Sequence, residues 1–244
     1  MKILIVEDEE SIALGLKFNF EQEGYDVVST GDGPTALSKF DSAEEPFDLV
    51  ILDLMLPCMS GYEACREIRS RDPHIPILVL SARTLSEDKA LAFDCGSDQY
   101  MTKPFALPEL LSRVRNLLNR RNQQTTEGSR EGSSAKSSEV FEFGNALVDF
   151  EKFQVTVGTV RHELTTKEME LLRYFIEHEG AVLSRAQILR DVWDESPDIA
   201  TRSIDNFVMR LRKIVEKDPA NPEHILSVRG TGYRFVKKND VASN

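Results

Sequence analysis

The stretch DLVILDLMLP, residues 48–57, decides the fold of the first half of this chain. Seven of its ten residues are large and apolar, which is typical of a strand buried on both faces of a parallel sheet. Asp53 stands near its end, where an ionised carboxylate is costly unless something stabilises it. The stretch therefore predicts a buried strand with a polar site beside it.

Four more apolar segments bounded by turn residues have the same character: KILIV (2–6), DVVST (26–30), PILVLSA (76–82) and QYMT (99–102). Amphipathic helical stretches lie between them, as in residues 11–23. This alternation predicts an α/β domain over residues 1–121, a doubly wound five-stranded parallel sheet with helices on both faces. In such sheets the functional residues gather at the carboxyl ends of the strands.

Charge is unevenly distributed in this chain of 244 residues and net charge −11. Residues 1–121 carry 13 Lys/Arg against 21 Asp/Glu, whereas residues 201–238 carry 9 against 4. An acidic protein with one basic region predicts a local site for a polyanion. The three cysteines show no C-x-x-C spacing, which argues against a disulfide framework and a zinc site. The sequence has neither a membrane-length apolar run nor a signal-peptide core, so we expect a cytoplasmic protein with no membrane partner.

The second half of the chain has a different pattern. Residues 122–139 have no aromatic residue and one small aliphatic residue, which predicts a flexible linker. Short antiparallel strands are expected in 141–164, followed by two helices with capping boxes, Thr165 with Glu168 and Ser184 with Gln187. A helix over 201–217 and a hairpin at 225–236 complete an α+β winged-helix domain, residues 140–238, with 239–244 as a tail.

Polar residues follow the predicted strands of the first domain where each strand ends: Glu7 and Asp8, Asp53, Ser81, and Lys103. Three carboxylates at one sheet edge repel each other unless a cation lies among them, and hard oxygen ligands suit Mg²⁺. A carboxylate beside such an ion can act as a nucleophile toward a phosphoryl group. This pattern predicts Asp53 as phosphoacceptor, Glu7 and Asp8 as metal-binding acids, Lys103 as counter-charge and Ser81 as a hydroxyl donor.

The chain resembles the receiver domain of bacterial two-component response regulators over residues 1 to about 121. Four motifs carry the resemblance: VEDEE (6–10), LDLMLPCMSG (52–61), LSAR (80–83) and TKPF (102–105). With the second domain, nearly the whole chain outside the linker resembles the OmpR/PhoB class.

The resemblance implies roles for individual residues. Asp53 receives a phosphoryl group from the phosphohistidine of a partner sensor histidine kinase. Mg²⁺ (or Mn²⁺) is held by Asp8, Asp53 and the backbone carbonyl of Met55, with Glu7 assisting through water. The resemblance further implies a cis Lys103–Pro104 bond and a switch in which Ser81 moves inward and the Tyr100 ring turns into the space it leaves.

A charged face within residues 88–115 is expected to form a homodimer after phosphorylation, because the corresponding face dimerises in this class. Oppositely charged side chains can fix the register of such a symmetric pair. By position, we expect Lys89 to contact Glu109, Asp94 to contact Arg115, and Asp98 to contact Arg113. The family commonly has a second acid where this chain has Gln99, which removes one partner for Arg113.

Residues 201–217 divide at helical spacing into an apolar face and a basic, amide-bearing face, as a helix in a DNA major groove requires. By resemblance this is the recognition helix and 225–236 is the wing, whose tip Arg229 could enter a minor groove. Arg210 is the expected base contact, and the remaining predicted DNA contacts are Arg202, Ser203, Asn206, Arg212, Lys213, Arg229 and Thr231. The loop 193–200 matches the position where this class contacts RNA polymerase.

These observations predict a phosphorylation-controlled transcription factor that binds repeated half-sites in double-stranded DNA. It would be no enzyme beyond slow self-dephosphorylation. One alternative is an aspartyl-phosphate phosphatase of the haloacid dehalogenase type, which needs a second acid where this chain has Met55. The other is a DNA-binding protein whose receiver answers to a protein partner without phosphorylation. The complete set of acids, hydroxyl and lysine argues against it.

Overall fold

The computed structural model describes residues 1–127, 140–193 and 202–237 of the chain. The chain divides into two units, Met1–Glu127 and Gly128–Asn244, each with its own buried core. Among the helices of the described ranges, none combines the length and the apolar character that a membrane crossing needs.

Five parallel strands form the centre of the first unit: β1 (Lys2–Val6), β2 (Asp26–Thr30), β3 (Leu49–Asp53), β4 (Ile77–Ser81) and β5 (Gln99–Thr102). They lie in the order β2-β1-β3-β4-β5. Adjacent strands are paired in parallel throughout, and every residue of β3 and β4 is buried. The predicted five-stranded, doubly wound sheet is confirmed.

Five helices cover the two faces of this sheet: α1 (Glu10–Gln22), α2 (Gly33–Asp41), α3 (Gly61–Arg71), α4 (Ser86–Asp94) and α5 (Leu107–Glu127). Apolar residues of α1 and α5 form one core with the strands, and those of α2 and α3 form a second core on the opposite face. Successive residues of β1 and β3 belong alternately to the two cores, because successive side chains of a strand point to opposite faces of the sheet.

Helix α5 extends beyond the predicted domain boundary at residue 121 and into the segment expected to be a linker. No proline or glycine lies between Pro108 and Gly128, so no local signal ends the helix earlier. The polar composition that suggested a linker is equally compatible with an exposed helix. The rest of the predicted linker, residues 128–139, lies outside the described residues.

The second unit begins with an antiparallel four-stranded sheet, β6 (Val140–Phe143), β7 (Ala146–Asp149), β8 (Gln154–Val157) and β9 (Val160–Glu163). Three helices follow: α6 (Thr166–Glu177), α7 (Arg185–Trp193) and α8 (Arg202–Val215). A second sheet has the order β10-β12-β11, built from β10 (Val182–Ser184), β11 (Ile225–Val228) and β12 (Gly232–Phe235). This is the predicted winged-helix arrangement, with β10 as a strand that the sequence pattern did not reveal.

Local signals set several helix ends in this unit. Thr165 and Glu168 form a complete capping box at α6, whereas at α7 the Ser184 hydroxyl accepts from the Gln187 N–H at 3.1 Å. Helix α8 ends at Val215, two residues before the predicted end. The next residue, Glu216, is buried, and its carboxylate accepts the N–H groups of residues 223, 224 and 225, which fixes the return of the chain to β11.

Candidate functional site

Four strands deliver the polar residues predicted from the sequence to one edge of the first sheet. Asp53 and Ser81 are the last residues of β3 and β4, and Glu7 and Lys103 directly follow β1 and β5. Parallel pairing in register brings these ends together, and the Lys103 N–H donates to the Ser81 carbonyl at 2.8 Å. Gly61, at the start of α3, has no Cβ that would collide with the Asp53 carbonyl oxygen, so α3 can begin close to the site.

The ammonium group of Lys103 lies between two buried carboxylates. Its Nζ donates to both oxygens of Glu7 at 2.7 Å and to Oδ2 of Asp53 at 2.6 Å. Glu7 is 3 % exposed and Asp53 is 4 % exposed, so water screens neither charge effectively. Removing the lysine would leave two buried carboxylates without a counter-charge, whereas removing one acid would leave the lysine paired with the other.

The ionisation of these groups reflects burial and pairing together. Burial raises the pKa of Glu7, and the nearby ammonium of Lys103 only partly offsets this effect. For Lys103, burial is the largest influence and acts to lower its pKa. The hydrogen bonds to Asp53 and Glu7 outweigh burial, so that the pKa of Lys103 is raised. The lysine therefore stays charged and available for an incoming anion.

The acids at this edge fit a hard divalent cation. One carboxylate oxygen from each of Glu7, Asp8 and Asp53 lies within 4.8 Å of the others, and Asp8 is exposed to solvent. The backbone N–H of Met55 donates to Oδ1 of Asp53 at 2.9 Å, which orients the acceptor carboxylate. An all-oxygen donor set with one exposed acid suits Mg²⁺, which retains several waters.

The two predicted switch residues are both buried. Ser81 is fully buried, and its hydroxyl accepts from the Arg83 N–H at 3.3 Å. Tyr100 is 3 % exposed, and its hydroxyl donates to the Arg83 carbonyl at 2.8 Å. The structure thus has the Tyr100 ring turned inward, which is the position that the resemblance assigns to the switched arrangement. Their roles in switching stay predictions.

Arg83 is a residue of this region that the sequence analysis missed. Its Nη1 donates to Asp88 at 2.8 Å, its Nε contacts the Met55 sulfur at 3.2 Å, and the hydroxyl of Tyr62 donates to the same Asp88 oxygen at 3.1 Å. The sequence did contain a signal for the contact between Arg83 and Met55, because each stands two residues beyond the end of its strand and the two strands, β4 and β3, are adjacent. Together with Asp8 they line an open cleft of about 550 Å³ beside the acceptor.

The expected dimer face differs from the prediction at Asp98. This side chain is 3 % exposed, and its Oδ2 accepts from Arg69 Nη2 and from the Ile77 N–H, both at 2.8 Å. Asp98 therefore forms a structural ion pair inside the unit, and the predicted contact with Arg113 of a second copy would require this buried pair to open. Residues 97–101 are all buried, so the charge of Asp98 did not reveal that it lies inside the unit.

The remaining residues of that face have contacts within their own unit. Arg113 pairs with Glu109 of the same helix at 3.2 Å, and Arg115 pairs with Glu23 at 2.6 Å. The ammonium of Lys89 lies 5.7 Å from the centre of the Tyr100 ring. Exposed pairs of this kind contribute little stability, so they can exchange for contacts across an interface at small cost.

The apolar face predicted for α8 is buried as expected. Ile204, Val208, Leu211 and Val215 are at most 5 % exposed, and Phe207, which the sequence analysis left unassigned, is buried with them. On the other side Met209 and Lys213 are exposed. Asn206 is partly exposed; the side chains of Arg202 and Ser203 lie outside the described residues.

Two arginines predicted to contact DNA instead bind their own domain. Arg210 forms an ion pair with Glu168 of α6 at 2.9 Å, and its guanidinium lies 4.1 Å from the centre of the Phe207 ring. Arg212 donates to the Ile225 carbonyl and the Ser227 hydroxyl, each at 2.9 Å. Because helical spacing gives the direction of a side chain and not its partner, the sequence could not exclude these contacts. The predicted roles of Arg210 as the main base contact and of Arg212 as a phosphate contact stay predictions, and each would require the arginine to exchange these contacts for DNA.

The wing has the predicted hairpin geometry. Arg229 and Thr231 are exposed at its tip, and Gly230 between them has φ of 75°, a left-handed conformation that favours glycine. A network missed from the sequence holds the hairpin to α8. Asp205 accepts from Arg185 at 2.7 Å and from the Tyr233 hydroxyl at 2.6 Å, and burial together with this bond raises the pKa of Tyr233 to about 12.

Comparison with known proteins agrees with both units. Residues 3–115 match the family model for the response regulator receiver domain, and residues 159–235 match that for the C-terminal domain of transcriptional regulatory proteins. The chain is 39 % identical to the sensory transduction protein RegX3 of Mycolicibacterium smegmatis, covering 96 % of this chain and 98 % of that protein. It is 38 % identical to the alkaline phosphatase synthesis transcriptional regulatory protein PhoP of Bacillus subtilis, covering 96 % of each.

Solved structures show the same fold. The structure of a RitR mutant matches with a TM-score of 0.68 at 23 % sequence identity, covering 97 % of this chain and 99 % of that chain. At this level of identity the match concerns the fold alone.

Proposed function

Because this chain belongs to the two-component response regulators of the OmpR/PhoB class, which are transcriptional regulators, we propose that phosphorylation of Asp53 controls its binding to DNA. The observation that carries this proposal is the position of Lys103, whose ammonium binds both Glu7 and Asp53. The proposed nucleophile, a fixed cation and the proposed metal-binding acids therefore lie together at one edge of the sheet.

In the proposed reaction, a carboxylate oxygen of Asp53 attacks the phosphorus of a phosphohistidine on a sensor kinase. The new P–O bond forms as the P–N bond breaks, and the imidazole leaves with its electron pair. Glu7, Asp8, Asp53 and the Met55 carbonyl would hold Mg²⁺ or Mn²⁺, which when bound neutralises charge on the phosphoryl oxygens. Lys103 exchanges its bond to Asp53 for one to a phosphoryl oxygen, and the Ser81 hydroxyl donates to another. Self-dephosphorylation would be slow.

The open cleft beside Asp53 supports delivery of the phosphoryl group by a separate protein. Asp8 and Met55, which lie next to Asp53, are on its wall, so we propose that the donor side chain approaches the acceptor through this cleft. We assign the donor to a sensor histidine kinase in the cytoplasm.

In the second unit, α8 is the proposed recognition helix and β11–β12 the wing. Lys213 on the exposed face of α8 and Arg229 and Thr231 at the wing tip carry the phosphate and minor-groove contacts, and Asn206 offers an amide to a base edge. Arg202 and Ser203, at the first residues of α8, are proposed as phosphate contacts at the helix N-terminus.

Phosphorylation is proposed to favour a homodimer through Lys89, Asp94, Glu109, Arg113 and Arg115, so that two winged helices bind repeated half-sites. RNA polymerase is the proposed partner of the loop 193–200, of which residues 194–200 lie outside the described residues.

A labelling experiment tests the phosphoacceptor. The full chain is incubated with Mg²⁺ and radiolabelled acetyl phosphate, and the protein-bound label is measured before and after hydroxylamine, which cleaves acyl phosphates. The wild-type protein should carry a hydroxylamine-sensitive label that Asp53→Asn abolishes. Asp26→Asn, an exposed acid at the opposite edge of the sheet, is the control and should label normally.

Two results would contradict the proposal. Persistent labelling of Asp53→Asn would place the acceptor elsewhere. Release of phosphate from small phosphoesters over many turnovers per chain would instead indicate a phosphatase.

A further inference from the structure

One large apolar side chain lies on the exposed face of α8. Met209 is 47 % exposed, whereas the apolar stripe of this helix, which includes Ile204, Phe207 and Leu211, is buried. The core of the second unit therefore does not need a methionine at this position. Met209 is presented to solvent on the side of the helix that we assign to DNA.

Polar residues surround Met209 on this face. At helical spacing the row runs from Asn206 through Met209 to Lys213, with Lys213 exposed. The cation next to Met209 in sequence, Arg210, is drawn away from the row by Glu168 and the Phe207 ring. The centre of the row thus offers a thioether and methylene groups, with hydrogen-bonding groups before and after it.

Only one base presents an apolar group of comparable character in the major groove, namely thymine with its C5-methyl group. Methionine suits such a contact because its unbranched, polarizable side chain adapts to the position of a small apolar partner. A guanine or cytosine edge at the same place would have a polar atom covered by the methionine without a hydrogen bond.

We propose that Met209 is a specificity-determining residue, which packs against the C5-methyl group of a thymine at one fixed position in each DNA half-site. This inference rests on the proposed function, because it requires α8 to lie in the major groove. It predicts that the methyl group itself, and not the hydrogen-bonding edge of the base, is recognised at that position.

Replacing thymine by deoxyuridine tests this directly, since the two differ only in the methyl group. Preferred sites are first selected from random DNA by the full-length chain treated with acetyl phosphate and Mg²⁺. Each conserved thymine is then replaced in turn, and affinity is measured at one salt concentration. At one position per half-site, wild-type affinity should fall about fourfold, the equivalent of about 0.8 kcal/mol for one buried methyl group.

The variants identify the side chain responsible. Met209→Ala should bind the thymine and deoxyuridine sites equally, whereas Met209→Leu should keep most of the discrimination. Leu147→Ala, which truncates an exposed apolar side chain on β7, is the matched control and should discriminate as the wild type does. Unfolding curves of all variants should coincide, because these side chains are not part of the core.

The outcomes separate this inference from the proposed function. If Met209→Ala keeps the full deoxyuridine effect, or if no conserved thymine shows one in the wild type, the inference is wrong while sequence-specific binding still supports a DNA-binding regulator. If no sequence is enriched at all, the proposed function fails and the inference fails with it.

Discussion

Asp98 distinguishes the structural interpretation from the one that sequence spacing suggested. In the structure its carboxylate neutralises Arg69, which is 9 % exposed, and accepts the N–H of Ile77 at the start of β4. Asp98→Ala would leave a buried guanidinium without its counter-charge and a buried N–H without an acceptor.

The expected cost follows from these contacts. Breaking a buried ion pair by removing one partner typically costs about 3–5 kcal/mol. Arg69 keeps its bonds to the carbonyls of residues 73, 75 and 96, which partly solvate its charge. We therefore expect Asp98→Ala to lower the free energy of unfolding of the first unit by about 3 kcal/mol, at the lower end of that range. Arg69→Met with Asp98→Ala should cost clearly less than the two single changes combined.

Urea unfolding measures this loss. Far-UV circular dichroism follows both units, and hydrogen exchange of the amides of β4 reports the first unit alone. The chain has one tryptophan, Trp193, which lies in the second unit. Its fluorescence transition is an internal control and should not shift.

The opposite result would refute this reasoning. If Asp98→Ala lost less than about 1 kcal/mol of stability but no longer dimerised on phosphorylation, Asp98 would be an interface residue, as its position in the sequence suggested. The buried pair with Arg69 would then not describe the protein in solution.

Two further substitutions test the remaining assignments. Lys103→Met should reduce the rate of labelling by acetyl phosphate by about 10²-fold, because the cation that stabilises the transferring phosphoryl group is lost. Lys17→Met, which changes an exposed lysine on α1, is the control and should have no effect. An unchanged labelling rate in Lys103→Met would show that this lysine takes no part in the reaction. Arg210→Ala should lower the stability of the second unit by about 1 kcal/mol through loss of its contacts with Glu168 and Phe207, read by Trp193 fluorescence, without changing the selected DNA sequence. A stable Arg210→Ala protein with relaxed preference at one base would instead confirm Arg210 as the predicted base contact.

Some elements of this fold follow from local sequence patterns, and others do not. The strands around Asp53 were predictable because a run of apolar residues ending in a polar one has few other uses, and parallel pairing then places the strand ends together. The polar composition after residue 121 predicts a linker, yet helix α5 continues to Glu127, because an exposed helix has the same composition.

In the candidate phosphorylation site, too, some residues are predictable from the sequence and others are not. The strand ends alone predict which polar residues lie at this edge of the sheet, namely Glu7, Asp8, Asp53, Ser81 and Lys103. Each lies at or just after the end of its strand, and parallel pairing brings those ends together. Arg83 escaped notice because its contacts to Asp88, Met55 and Tyr62 depend on how a loop lies over the neighbouring strand. No periodicity encodes the path of a loop.

What the sequence determined by itself are properties of one segment at a time: which stretches are strands or helices, which face of α8 is apolar, and which polar residues end a strand. What only the tertiary structure decided is the partner of each long charged side chain. Asp98, Arg210 and Arg212 all lie where helical or strand spacing would place an exposed group, yet each binds a residue of another element. A flexible side chain can reach several partners of opposite charge, and the packing of the elements selects among them.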